Sequence, residues 1–304
     1  MKARILAVLF ALLSTAAYAQ YSFNSDLSAD ETVKLSAHVW YIKGFPNIGI
    51  IVGRDTTLVV DTGLGPKNGA YVAQVARTLK PGNKLYLTTT HYHPEHASGD
   101  TGFPAGTVEI RPRTQQEELD AGGQAIIDVF AKRSEVNRAL LQDAKIKTAE
   151  KLFDGNSYAL DLGGGVSARL LWYGTAHTKG DEVVLAAPDS VLITGDVVQN
   201  KTGPAFACAD CTPNKWLAVL DQMQALSPKI ILPDHSPPGD GALLKAEDDF
   251  MRDLVTRIAA LKAQGVSLDD AKRQVSDEFQ KKYAEWVNLN GIPLAVEKGY
   301  ADPA

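Results

Sequence analysis

Apolar positions along the chain follow two periods. Between residues 39 and 61 short apolar runs at 39–42, 48–52 and 57–60 are broken by Gly44, Pro46 and Gly53, as expected of β-strands bounded by turns. Over 68–79 the spacing changes, and Tyr71, Val72, Val75 and Leu79 recur as one helical face that Pro81-Gly82 stops. A short strand at 85–87 then runs through Thr88-Thr89-Thr90 onto a cluster of histidines. The stretch 114–147 reads as helical, with Ser134 as an N-cap, lying outside or over the cluster. Strands resume at 158–162, 166–173, 182–186 and 191–194, followed by a helix at 214–226 and a strand at 230–232. From about 242 the chain is mostly helix, and Phe250, Leu254, Ile258 and Leu261 form an apolar stripe. The stripe reads most simply as a packing face; a dimer interface or a lid are the other readings. Strands and helices thus fall into two successive halves, an α/β pattern, each half ending in residues that bind metals.

The first residues follow a different rule. Met1-Lys2-Ala3-Arg4 is followed by an apolar run from 5 to 13 and by Ala17-Tyr18-Ala19. This is the pattern of a secretory signal peptide, residues 1–19, cleaved after Ala19. The apolar run is shorter than the roughly 20 residues that span a bilayer, and no later stretch is long and apolar enough. The expectation is therefore a secreted or periplasmic protein with no membrane anchor after cleavage, its residues 20–304 forming a single domain with a helical C-terminal segment.

Charge changes this picture little. With 36 acidic and 31 basic residues, the chain lacks the clustered Lys and Arg of a nucleic-acid surface, so a small-molecule substrate is the expected partner. The two cysteines, Cys208 and Cys211, form a C-x-x-C. In an exported chain this favours a disulfide; the alternative is that one of them binds zinc as a thiolate. A redox role fits less well, because no βαβ context surrounds the pair.

The chemistry is concentrated in His91-Tyr92-His93-Pro94-Glu95-His96, where an apolar strand ends. Three imidazoles and a carboxylate within six residues would need many buried partners if they only filled a core, but they suit one or two divalent ions. In an extended segment His91, His93 and Glu95 would start on one side, with Pro94 favouring extended geometry at His93, while His96 turns away toward a second ion. Further on, His177 lies in Gly174-Thr175-Ala176-His177-Thr178, Asp196 in Thr194-Gly195-Asp196, and His235 in Pro233-Asp234-His235-Ser236. Each follows a predicted strand, where an α/β scaffold places its site residues. Of six histidines only His38 falls outside these positions.

These segments resemble the H-x-H-x-D-H motif of the metallo-β-lactamase superfamily, with Glu95 where the acid is usually Asp. The likeness runs from about 39 to 235 and includes the Asn47-Ile48-Gly49 strand, the Asp61-Thr62-Gly63 turn, the later His, the T-G-D and the final His, in order. It implies an αββα sandwich, two mixed sheets flanked by helices, with the site at one edge. By the same likeness His91, His93 and His177 would bind a first ion and His96 and His235 a second. Asp196 would bridge the two, as in members resembling glyoxalase II, and Asp61 would either orient a ligand histidine or serve only as a turn residue.

The activity implied is hydrolysis of an ester, thioester, lactone or similar bond by a zinc-bound hydroxide, with two zinc ions per chain and iron or manganese as other metals. Glu95 and Asp196 would hold the nucleophile and carry its proton. Glu95 is the departure from the pattern: one extra methylene moves a carboxylate by about one C–C bond, ~1.5 Å, so either the backbone compensates or the second site weakens. A β-lactamase, a mononuclear iron oxygenase on the same fold and a non-catalytic metal-binding accessory protein are the competing readings. A serine hydrolase fits poorly, since Ser98 has no G-x-S-x-G setting.

Overall fold

The computed structural model describes residues 26–29 and 31–302; the predicted signal peptide lies outside the described residues. Among these, no helix is long and apolar enough to cross a membrane.

The first half supplies strands β1 (Thr32–Lys34), β2 (Val39–Ile42), β3 (Ile48–Val52) and β4 (Thr56–Val60), then helix α1 (Gly65–Leu79) and strand β5 (Lys84–Thr88). A short helix α2 (Pro94–Ala97), strand β6 (Val108–Pro112), helices α3 (Arg113–Ala131) and α4 (Glu135–Leu141), and strand β7 (Lys151–Phe153) complete it. These seven strands form one sheet in chain order, antiparallel from β1 to β4 and parallel from β4 to β7.

The second half contains β8 (Ser157–Gly163), β9 (Val166–Trp172), β10 (Glu182–Ala187), β11 (Val191–Ile193), α5 (Pro213–Gln224), β12 (Ile230–Leu232) and β13 (Gly239–Asp240). Helices α6 (Ala242–Ala263), α7 (Leu268–Lys282) and α8 (Ile292–Ala301) follow. The second sheet has the order β13-β12-β11-β10-β9-β8. Only its β11–β12 pair is parallel, so both sheets are mixed.

Period-2 alternation explains the layering. Ile51, Leu58 and Val60 of the first sheet meet Val184, Val191, Ile193 and Leu232 of the second in the central core. Their neighbours Ile50 and Val59 face outward onto Val72, Ala73 and Ala76 of α1. On the opposite side Val183, Leu192 and Ile231 pack against α5 and the C-terminal helices, where the stripe of Phe250, Leu254, Ile258 and Leu261 is buried. The result is the αββα sandwich, and the stripe on α6 serves packing rather than an open interface.

Two expectations change, and one strand was not foreseen. The helical stretch 114–147 is two helices: α3 ends at Ala131, Ser134 accepts the Asn137 N–H to cap α4, and the helix stops at Leu141. Strand β6 escapes the alternation rule because Glu109 and Arg111 are both fully buried and pair with each other at 2.5 Å; their charges satisfy one another inside the protein instead of facing water. The histidine segment, finally, is not extended throughout. His93 is extended (φ −62°, ψ 148°) as the N-cap of α2, but Pro94 then starts a helical turn. Glu95 therefore leaves the side occupied by His91 and His93 and joins His96.

Candidate metal centre

The site forms at the edge of the sandwich where loops from both sheets converge. The 91–96 segment leaves β5, His177 follows β9, Asp196 follows β11 and His235 follows β12. Gly195 makes the approach possible: with φ +54°, a Cβ there would lie 2.7 Å from Cβ of Thr90, so only glycine lets the T-G-D turn close onto the histidine segment.

Two ligand groups result. One nitrogen each from His91, His93 and His177 lies within 4.8 Å of the others, and so do single donor atoms of Glu95, His96 and His235. His177 Nε2 is 3.3 Å from His93 Nδ1, and His96 Nε2 is 3.2 Å from His235 Nε2. Asp196 stands between the groups, with Oδ2 3.4 Å from His177 Nε2 and Oδ1 3.2 Å from His235 Nε2. His91 Nε2, His93 Nε2 and Glu95 Oε2 are buried without hydrogen-bond partners. Ring nitrogens facing ring nitrogens, with an acceptor-only carboxylate between them, fit divalent cations and fit a protein-only hydrogen-bond network poorly.

The electrostatics suit cations too. Burial, reinforced by the neighbouring histidines, holds His91 and His93 well below the usual imidazole range. His235 is lowered to about 4, burial and the other histidines outweighing the pull of Asp196. Burial pushes the Asp196 carboxyl up, but His235, His177, His96 and His93 outweigh it and bring it to about 2. Neutral rings at His91, His93 and His235 beside an ionised Asp196 are protonation states that bind metal, whereas Asp61 and Asp234 push His96 up toward its charged form. Glu95 is raised by its burial.

Supporting groups fix the rings. Asp61, in the left-handed region at φ +72°, places Oδ2 3.1 Å from His96 Nδ1 and accepts the Thr90 N–H at 2.6 Å. This is the orienting contact that the motif implied. His177 Nδ1 donates to the Ala205 carbonyl at 2.5 Å, leaving its Nε2 for the cluster. Asp181 accepts the Ala176 N–H at 3.1 Å and the Thr178 N–H at 2.9 Å, pinning the loop that carries His177.

Sequence reasoning missed several contributors. Asp234 Oδ2 is 3.2 Å from the same His96 Nδ1. Asn47 donates its side-chain amide to Pro233 and Ser236 carbonyls at 2.8 and 3.0 Å, anchoring the loop of His235. Gln199 contacts Asp196 Oδ1 at 3.3 Å and accepts the His235 N–H at 3.2 Å. Adjacency to His235 could have flagged Asp234, and Asn47 stood in the likeness only as part of a strand, without a role; Gln199 carried no signal.

Cys208 and Cys211 are joined in a disulfide, so neither supplies a thiolate ligand. The bridge lies just beyond His177, whose carbonyl accepts the Ala207 N–H at 2.9 Å. His38 pairs with Asp189 at 2.7 Å, away from the cluster.

A cavity of about 920 Å³ opens over the metal centre. Asp196 and His235 form part of its wall together with Phe45, Phe206, Pro237, Val287 and Leu294. Arg133, on the turn between α3 and α4, also lines it, its guanidinium 3.4 Å over the Phe130 ring. The turn that joins α3 and α4 thus reaches the cavity over the site.

The fold agrees with that of known proteins. A family model described as "Metallo-beta-lactamase superfamily" matches residues 41–235, and the chain belongs to that superfamily. Among curated proteins, a linear primary-alkylsulfatase from Pseudomonas sp. (strain ATCC 19151) is 23% identical over 219 residues, covering 63% of this chain. The match spans only 42% of that longer protein. Of solved structures, a stereoselective inverting sec-alkylsulfatase from Pseudomonas sp. superposes with a TM-score of 0.70 at 16% identity, over 90% of this chain and 52% of its own. A metallo-beta-lactamase from Pontibacter korlensis gives 0.57 at 19% identity, over 73% and 99%.

Proposed function

We propose that the chain is an exported hydrolase that uses two zinc ions to cleave an ester, thioester, lactone or similar bond in a small molecule. The observation that carries this reading is Asp196, whose two oxygens face one histidine from each ligand group. His91, His93 and His177 would hold one ion, and Glu95, His96 and His235 the other.

Ions bound there would supply a water made acidic enough to attack near neutral pH, and a Lewis acid for the substrate oxygen. The chain's own residues do the rest. Asp61 and Asp234 keep His96 oriented with Nε2 toward the centre. The unpartnered Glu95 Oε2 is available to hold the nucleophile and take up its proton. Phe45, Phe206, Val287 and Leu294 give the cavity apolar walls for a substrate body, and Arg133 in its lining offers a positive charge to an anionic substrate group.

Likeness to two alkylsulfatases and the apolar residues Phe45, Phe206, Val287 and Leu294 in the cavity lining support a second reading, sulfate-ester cleavage. Elemental analysis of chelator-free protein, followed by a panel of carboxylic esters, thioesters, lactones, alkyl sulfates and β-lactams, tests both. Near two zinc ions per chain with turnover of an ester or a sulfate ester is expected. A single iron, or no tightly held metal, would overturn the dinuclear reading.

A further inference from the structure

One carboxyl group in the cavity belongs to neither ligand group. Glu247, on the first turns of α6, lines the same cavity as Asp196 and His235, yet only 1% of the residue is exposed. The Gln199 backbone N–H donates to its carboxyl, while Oε2 is buried with no hydrogen-bond partner. The rest of its helix face, Leu244, Phe250, Met251 and Leu254, packs into the core. An apolar residue would therefore suit this position on packing grounds. A buried carboxyl oxygen without a partner costs stability, and such a group in a cavity wall beside a reaction centre calls for a ligand.

We propose that Glu247 is a specificity-determining residue that hydrogen-bonds a hydroxyl group on the substrate. The inference deepens the hydrolase reading and rests on it: the substrate would be an ester-type compound with an apolar body carrying a hydroxyl. Burial pushes the Glu247 carboxyl well above the usual range, which favours the neutral acid, a form able both to donate to and to accept from a hydroxyl. A charged amine is a poorer match than a hydroxyl for a neutral partner. A site built around such a contact discriminates against an analogue lacking the group, because the buried acid is then left unpaired.

The test compares substrates that differ by one hydroxyl, p-nitrophenyl butyrate and p-nitrophenyl 3-hydroxybutyrate, on the metal-loaded wild type, Glu247→Gln and Glu247→Leu. The wild type should favour the hydroxylated ester by about tenfold or more in kcat/KM. Glu247→Leu should bring the ratio close to one, and Glu247→Gln should keep part of the preference. A wild type without preference, or a Leu variant that slows both esters equally, would overturn the proposal and leave Glu247 a structural partner of Gln199. If neither ester is turned over, the hydrolase reading fails for this bond. Calorimetric binding of 3-hydroxybutyrate against butyrate then decides Glu247 independently, with equal affinities in the wild type counting against it. Thermal denaturation of each variant identifies one that has merely lost its fold.

Discussion

His96 Nδ1 lies 3.1 Å from Asp61 Oδ2, and both side chains are fully buried. Asp61 also holds the Thr90 N–H, so one carboxylate fixes the backbone entering the histidine segment and the ring of its last histidine. Burial alone would pull His96 down, but Asp61 and Asp234 outweigh it and hold the imidazole well above its usual range. The carboxylates hold the proton on Nδ1, so Nε2, which faces the centre, is the nitrogen that would give up its proton to bind an ion.

Replacing Asp61 with Asn should therefore lower the affinity of the Glu95, His96 and His235 group for zinc by about 10–100-fold, the usual effect of losing a partner that orients a metal-binding histidine. The His91, His93 and His177 group should change much less. Competition titration with a zinc chelator, resolved into two binding steps, measures both. An equal weakening of the two steps would mean that Asp61 acts through the fold as a whole.

Asp196 makes a contrasting case because it touches both groups. Asp196→Ala should reduce bound zinc below two ions per chain and cut kcat by more than the 10–100-fold of an orienting partner. Asp61→Asn and Asp196→Ala, assayed side by side for stoichiometry and turnover, separate a bridging residue from a supporting one. A variant lacking Asp196 that retained two ions and full turnover would remove the bridge from the mechanism.

Much of this centre is legible in the sequence because its residue types are unusual for a core. Five histidines after predicted strands, with an acid in T-G-D, have few other uses, and all converge in space. What escaped notice depends on backbone or packing. The position of Glu95 was misread because Pro94 starts a helical turn instead of prolonging an extended segment. Strand β6 was hidden by the buried pair of Glu109 and Arg111. Gln199 and Glu247 lie 48 positions apart and meet only when α6 folds against the second sheet; no local pattern marks either.

The altered course of the chain at Pro94 gives Glu95 a testable meaning. On the α2 turn its longer side chain reaches a point within 4.8 Å of the His96 and His235 donor atoms. Shortening it by Glu95→Asp would withdraw the carboxylate by about one C–C bond, ~1.5 Å. The substitution should thus weaken the second ion and lower turnover, although it restores the acid usual in the motif. Zinc stoichiometry under limiting metal and kcat on the best substrate report this; a gain in either would show that the backbone has not adapted to Glu.

The Cys208–Cys211 bridge closes a very short loop. In the chain-entropy picture a loop of about four residues contributes roughly 2 kcal/mol. Cys208→Ser paired with Cys211→Ser should lower unfolding stability by about that amount in urea while the zinc content of the folded protein stays the same. Loss of metal in the folded double variant would show that the bridge also supports the neighbouring His177.

Asp181 adds a pH dependence of its own. Burial pushes its carboxyl from 3.8 up to about 6, opposed by His177 and by the Thr178 hydroxyl and N–H. Between about pH 4 and pH 6 the folded protein keeps a proton there that the unfolded chain has lost. Stability from this group is therefore full below about pH 4 and declines as pH rises through 6, by on the order of 3 kcal/mol for a shift of about two pH units. Asp181→Asn does not titrate, so in metal-free protein the stability difference, variant minus wild type, should move in the variant's favour between pH 4 and pH 7. Urea unfolding at both pH values measures the change, and a constant difference would place the carboxyl of Asp181 in its ordinary range despite its burial beneath the His177 loop.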